Sequence, residues 1–141
     1  MKLIIEHLHK AFNLTFELAD VIRSEDLKLK LKDLPSNTIG DQFYCIIGAR
    51  ESYLKAIVNN GWMGFSCSLD DTTSKDKVLK CLNNSAKDSM DFVNKTDLNE
   101  NQLDLLLNLL EHEIQHHGQL IRFFYGNKLS FPQSWTERYT V

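Results

Sequence analysis

The sequence predicts an all-α protein folded as a four-helix bundle. Four long segments carry apolar side chains at intervals of three and four residues, the spacing that places them on one face of a helix. No stretch alternates polar and apolar residues as a half-buried strand would, and no internal repeat is present. Four amphipathic helices in one chain bury their apolar faces most simply against one another.

Length and composition favour one soluble domain covering residues 1–141. A hydrophobic content of 43% is enough for a proper core, and the net charge of −3 gives no reason to expect nucleic-acid binding. No apolar run approaches the length of a membrane span. The first residues do not form a signal peptide, and the odd cysteine count lacks C-x-x-C spacing. We therefore expect a cytoplasmic protein with reduced thiols and no membrane partner.

The first two helices are predicted at residues 3–22 and 38–59. The connection between them has room for one helical turn. Pro35 disfavours helix at the residue before it, and the polar run Ser36-Asn37-Thr38 offers an N-cap for the second helix.

The third and fourth helices are predicted from Ser74 or Asp76 to about residue 93, and over residues 99–125. Gly126-Asn127 then supplies a C-terminal stop. The aromatic tail, residues 129–141, is expected to pack along the bundle without forming an element of its own. The connections before and after the second helix are long enough to be crossovers.

Two charged residues project onto apolar faces of their helices. Arg50 falls at the centre of the apolar stripe of the second helix, and Glu113 falls within the apolar arc of the fourth. A buried charge needs a partner of opposite sign, so an Arg50–Glu113 ion pair is a hypothesis of the sequence.

The fourth helix carries the most chemically distinctive stretch of the chain, His112-Glu113-Ile114-Gln115-His116-His117-Gly118-Gln119. His112 and His116 are four residues apart, so their imidazoles lie one above the other and can reach one metal ion. The pair is expected at the border of the buried face, where it can meet a neighbouring helix.

Two interpretations of this stretch come from the residues alone. The pentapeptide from His112 to His116 matches the H-E-x-x-H pattern of zinc proteases, with Glu113 as general base. That function is disfavoured because no strand is available to align a peptide substrate. The other interpretation is structural, with the histidines as polar core groups, since two aligned histidines are only half of a catalytic zinc site.

A third interpretation comes from resemblance to a known family. The stretch His112-Glu113-x-x-His116-His117-Gly118-Gln119, followed by Leu120-Ile121, Gly126 and Pro132, resembles the last helix of the DinB/YfiT-like family, which typically shows H-x-x-x-H-x-G-Q. The resemblance continues upstream in three segments, which are Ser36-Asn37-Thr38-Ile39-Gly40-Asp41-Gln42, Gly48-Ala49-Arg50-Glu51-Ser52-Tyr53, and Trp62 with Gly64-Phe65-Ser66-Cys67-Ser68-Leu69.

This resemblance implies a four-helix bundle, often a homodimer, with a divalent metal, commonly zinc or nickel, held by three histidines. His112 and His116 match the two ligands from the last helix. Cys45 stands where the ligand from the second helix is usually histidine. A thiolate can replace imidazole as a zinc ligand, so Cys45 is either the third ligand or a small buried apolar residue.

The resemblance also implies a class of activity. Relatives include transferases and isomerases that use low-molecular-weight thiols such as bacillithiol or mycothiol. We therefore expect a metal-dependent thiol transferase acting on a small-molecule substrate. Its catalytic residues are not fixed by the sequence; Glu113 and His117 are candidates, with Glu113 orienting His117 or pairing with Arg50. The alternative is a non-catalytic bundle, either a metal-binding protein or a dimeric interaction protein.

Overall fold

The computed structural model describes all 141 residues, and it is helical with no strand beyond one isolated bridge between Lys30 and Thr38. The α-helices are α1 Lys2–Val21, α2 Ile39–Asn59, α3 Lys75–Val93, α4 Glu100–Gly126 and α5 Gln133–Tyr139, and a short 3-10 turn spans Ser24–Lys28. The four long helices confirm the predicted segments to within two residues at each end. None of them combines the length and hydropathy that crossing a bilayer requires.

Polar side chains fix where three of the long helices begin. Thr38 and Asp41 form a reciprocal capping box at the start of α2, and Asn99 and Gln102 do the same for α4. The Ser74 hydroxyl accepts from Lys77 N at the start of α3. Each cap satisfies backbone N–H groups that have no partner within the helix.

The long helices pack as a bundle in which α2 contacts α3 and α4, and α1 contacts the same two helices. Helices α2 and α4 are antiparallel, because Gln102 donates to the Ile57 carbonyl at one end while His116 reaches Gln42 at the other. This pairing sets the α4 histidines against the first half of α2.

Helices α2 and α3 are parallel, so the chain between them must return along the bundle. Their first turns contribute Ile39 and Val78 to the larger apolar cluster, and their last turns contribute Ile57 and Val93 to the smaller one. The predicted crossover between the second and third helices is thereby confirmed.

The crossover loop, which joins α2 to α3, lies directly against α2. Ser66 N donates to the Ser52 hydroxyl over 3.0 Å, and Phe65 covers Gly48 so closely that a Cβ at Gly48 would lie 2.2 Å from its ring. Glycine at position 48 therefore permits this loop to approach the helix.

The prediction that the tail forms no element of its own is wrong. Residues Gln133–Tyr139 form α5, which packs on α1. Trp135 is completely buried, and its indole N–H donates to the Leu14 carbonyl over 2.7 Å. Burial of one large aromatic side chain stabilises a helix too short to persist alone, which local sequence could not reveal.

Candidate functional site

The imidazoles of His112 and His116 face each other through their Nε2 atoms, which are 3.1 Å apart. Their ring centroids are 4.6 Å apart. His116 is 7% exposed and His112 is half-buried. The structure thus brings together the two histidines that the sequence pairs, with one ring nitrogen of each aimed at the same point.

The other side of each ring is held by α2. His116 Nδ1 lies 2.7 Å from Gln42 Oε1 and donates to it, because an amide oxygen can only accept. The Cys45 backbone lies close enough to the His112 ring to raise its pKa. Because His116 donates from Nδ1, its Nε2 presents a lone pair to Nε2 of His112.

Both rings favour the neutral form. Burial first and the nearby His112 second lower the pKa of His116 to about 4, against the opposing influence of Glu113. Burial also lowers the pKa of His112, against the opposing influences of Glu113 and the Cys45 backbone. Two neutral rings can share one N–H···N bond between their Nε2 atoms, and a metal ion in place of that proton would meet both nitrogens.

An open groove adjoins His112 on the outer side of α4. It has a volume of about 730 Å³ and is lined by Tyr53, Asn108, Leu110, Glu111, His112, Ile114 and Gln115. Trp62, 55% exposed at the start of the crossover, stacks edge-on against Tyr53 with centroids 5.3 Å apart. The exposed side of His112 is therefore open to a small molecule. Tyr53 lines the same groove, and Trp62 packs against Tyr53.

Cys45 lies in the turn of α2 beside the His112 ring. Its side chain does not form a three-ligand group with His112 and His116. The chain holds no group of three or more histidine, cysteine, aspartate or glutamate side chains arranged to bind a metal ion. Cys45 is a half-buried free thiol, and its pKa is raised by burial and then by the Asp41 carboxylate.

The hypothesis of an Arg50–Glu113 pair is confirmed. Arg50 Nε donates to Glu113 Oε2 over 3.1 Å and Arg50 Nη2 to Oε1 over 2.5 Å, and both side chains are completely buried. Burial raises the pKa of Glu113, but the charge and hydrogen bonds of Arg50 outweigh this, so the net pKa is lowered. Glu113 is thus engaged in the core and does not face the groove.

Arg50 also contacts α3 and α1. Its Nη1 donates to the Leu82 carbonyl of α3 over 3.0 Å, and its guanidinium lies 4.0 Å from the ring centroid of Phe12 on α1. Arg50 and Glu113 therefore form a buried polar centre at which all four long helices meet.

His117 belongs to this polar centre and not to the His112–His116 pair. Its Nε2 lies 2.7 Å from the Thr15 hydroxyl, which donates to Glu113 Oε1 over 2.5 Å, and its Nδ1 lies 2.6 Å from the Tyr139 hydroxyl. The Tyr139 hydroxyl therefore donates to His117 Nδ1, His117 Nε2 donates to the Thr15 hydroxyl, and Thr15 donates to Glu113. Glu113 therefore pairs with Arg50 and also orients His117 through one hydroxyl.

The sequence placed the histidine pair at the border of the buried face, and this is wrong for His116. The most buried positions of α4 are Leu106, Leu109, Glu113, His116, His117, Leu120, Phe123 and Phe124. Three polar residues occupy the middle of that face because their partners on the other helices satisfy them. Leu107, on another side of the same helix, is exposed.

Sequence reasoning missed three residues that contact these histidines, Gln42, Thr15 and Tyr139. Gln42 is a polar residue on the face of α2 that meets α4, and Thr15 is a polar residue within the apolar stripe of α1. Those interruptions of apolar faces were the available signals. Tyr139 had none, since its contact depends on α5.

Comparison with known proteins gave no match: no family model, no curated protein and no solved structure is significantly similar to this chain.

Proposed function

We propose that this chain binds a divalent metal ion, zinc or nickel, through Nε2 of His112 and His116. The observation that carries the proposal is the pair of Nε2 atoms 3.1 Å apart, with His116 Nδ1 donating to Gln42 on α2. Zinc–imidazole bonds are about 2.0–2.1 Å long, so two ligand nitrogens of a tetrahedral site lie about 3.4 Å apart. A small separation of the rings therefore admits the ion.

The hydrogen bond on the far side of the His116 ring supports the same proposal. Histidines that bind metal almost always donate their other N–H to a carbonyl or carboxylate, which fixes the tautomer and the ring orientation. The Gln42 side-chain carbonyl acts in this way on His116.

Cys45 is the proposed third ligand. Its own backbone lies beside the His112 ring. The resemblance to DinB/YfiT-like bundles also puts a ligand at this position. Because its thiol is protonated at neutral pH, metal binding must displace that proton and will strengthen as pH rises. Two imidazoles and one thiolate favour zinc over hard ions.

The proposed activity is transfer of a low-molecular-weight thiol to a small electrophilic substrate. Bound metal would lower the pKa of the external thiol, so that thiolate forms at neutral pH. The groove beside His112 would hold the substrate, with Tyr53 as an aromatic wall that Trp62 packs against. The proposal includes a bundle of the DinB/YfiT type that acts as a homodimer, as the resemblance implies.

A non-catalytic role is the second candidate, and a specific observation favours it. The side chain of Cys45 is not assembled with the two histidines into a three-ligand group. In that case the chain is a metal-binding or dimeric interaction bundle, and a proton shared between His112 and His116 takes the place of the ion.

Metal content distinguishes these candidates. The native chain and its Cys45→Ala variant are purified without an affinity tag or a nickel column, and metal is measured by mass spectrometry. Cys81→Ala, which removes another half-buried free thiol, is the matched control. We expect about one zinc or nickel per chain, reduced in Cys45→Ala and unchanged in Cys81→Ala.

The other outcomes assign the function differently. Metal that survives Cys45→Ala keeps the site and removes Cys45 from it. Absence of metal, together with no uptake on reconstitution, contradicts the proposal and leaves the interaction bundle. If metal is present, thiol consumption with model electrophiles tests turnover, and His116→Ala should abolish it while the helical content is kept.

A further inference from the structure

A chain of amide groups leads from the start of α2 to His116. Gln42 Nε2 donates to Asn37 Oδ1 over 3.0 Å, and Gln42 Oε1 accepts from His116 Nδ1 over 2.7 Å. Gln42 is only 4% exposed, so water does not compete for its bond to His116, whereas Asn37 lies at the surface.

The orientation of the Gln42 amide determines where His116 carries its proton. With oxygen toward the ring, the proton must lie on Nδ1, and Nε2 presents a lone pair to a metal ion. With nitrogen toward the ring, Nδ1 must accept, and the proton moves to Nε2, where it can bond to His112 Nε2.

We propose that Gln42 is a positioning residue that sets the tautomer of His116 and thereby controls how tightly the His112–His116 pair holds its metal. The inference rests on the proposed function and deepens it. An amide serves both tautomers by rotating half a turn, and the exposed Asn37 amide can rotate with it to keep the bond between them. The empty and the loaded pair can then each be fully hydrogen-bonded. A carboxylate can only accept and would hold His116 in the metal-binding tautomer.

This role makes opposite predictions for two substitutions. Gln42→Glu removes the donor and keeps the acceptor, so zinc binding should tighten. Gln42→Met removes both, so zinc binding should weaken by about 10- to 100-fold, the range typical of residues that support metal-ligating histidines. Gln102→Met is the matched control, because Gln102 also joins α4 to α2 but at the opposite end of the helices.

The test combines two measurements on chains whose circular dichroism and thermal unfolding show an intact fold. Zinc affinity is measured by competition with a chromophoric chelator. The His116 tautomer is read from long-range ¹H–¹⁵N correlation spectra of the metal-free Gln42→Glu and Gln42→Met chains. We expect a proton on Nδ1 in Gln42→Glu and on Nε2 in Gln42→Met, with affinities in the order Glu, Gln, Met.

The two measurements distinguish failure of the proposed metal function from failure of the proposed role of Gln42. If zinc binds none of the chains but the tautomers differ as described, Gln42 sets the tautomer and the proposed metal function is wrong. If zinc binds but both variants keep the same His116 tautomer and affinities within twofold of the native chain, the role of Gln42 is overturned. A loss of affinity in Gln102→Met equal to that in Gln42→Met also overturns it, because the effect would then be one of helix packing.

Discussion

Arg50 and Glu113 set the energetic character of the core at the scale of single residues. They form a completely buried ion pair, and two further bonds tie it to other helices: Arg50 Nη1 donates to the Leu82 carbonyl and Glu113 Oε1 accepts from the Thr15 hydroxyl. Such a pair stabilises little relative to apolar replacements, but the loss of one member leaves an uncompensated charge in the core.

Removal of one partner should therefore be far more harmful than removal of both. Arg50→Met is expected to lower the free energy of unfolding by about 3–5 kcal/mol, and the double variant Arg50→Met/Glu113→Leu should recover most of it. Urea unfolding measures both. Lys87→Met, which breaks an exposed pair with Asp91, is the control and should change stability by less than about 0.5 kcal/mol. A double variant less stable than Arg50→Met would contradict this account.

His117 makes the stability of the metal-free protein dependent on pH. Burial lowers its pKa to about 4 from the ordinary 6.5, although Glu113 acts in the opposite direction. The unfolded chain therefore binds more protons between these two pH values. Stability is fully present above about pH 6.5 and is lost as the pH falls toward 4.

Unfolding free energies measured with a chelator present should thus decline from pH 7 to pH 4, by roughly 3 kcal/mol for His117 alone. His117→Gln removes one titrating ring and should reduce this slope, leaving the part contributed by His116, whose pKa is also lowered to about 4. His9→Gln, at an exposed position on α1, should leave it unchanged. An identical slope in native and His117→Gln chains would show that His117 is not buried in its neutral form.

At the scale of elements, sequence patterns located the long helices but placed His116 too close to the surface of α4. Capping residues such as Thr38, Ser74 and Asn99 mark the helix starts, and these are local signals. Glu113 is buried within the apolar arc as expected, whereas His116 was expected at its border and is only 7% exposed. A polar residue is buried when distant residues satisfy it, and local periodicity contains no information about those residues.

The short α5 shows the same limit. Its stability comes from Trp135 in the core and from the bond between Tyr139 and His117. Tyr139→Phe removes the hydroxyl that donates to His117 and should lower stability by about 1–3 kcal/mol, the cost of a buried group left without its partner.

Amide hydrogen exchange should become faster across Gln133–Tyr139 in the Tyr139→Phe chain. Tyr125→Phe is the control, because Tyr125 is 53% exposed on α4. Unchanged exchange in α5 would mean that Trp135 alone holds it in place.

At the scale of the whole molecule, two structural roles are divided along α4. One set of its polar residues, Glu113 and His117, joins the long helices and α5 into one core. The other set, His112 and His116, faces α2, and His112 also lines the groove. Spacing in the sequence could pair His112 with His116, but it could not show that Thr15 and Tyr139 are the partners of His117.

We propose that His112, His116 and Cys45 hold a metal ion, and X-ray absorption of the zinc-loaded protein measures the distances from zinc to its ligands. We expect imidazole nitrogens at about 2.0–2.1 Å and one sulfur at about 2.3 Å, with the sulfur lost in Cys45→Ala. A zinc shell of oxygens without imidazole scattering, or a chain that takes up no zinc, would contradict it.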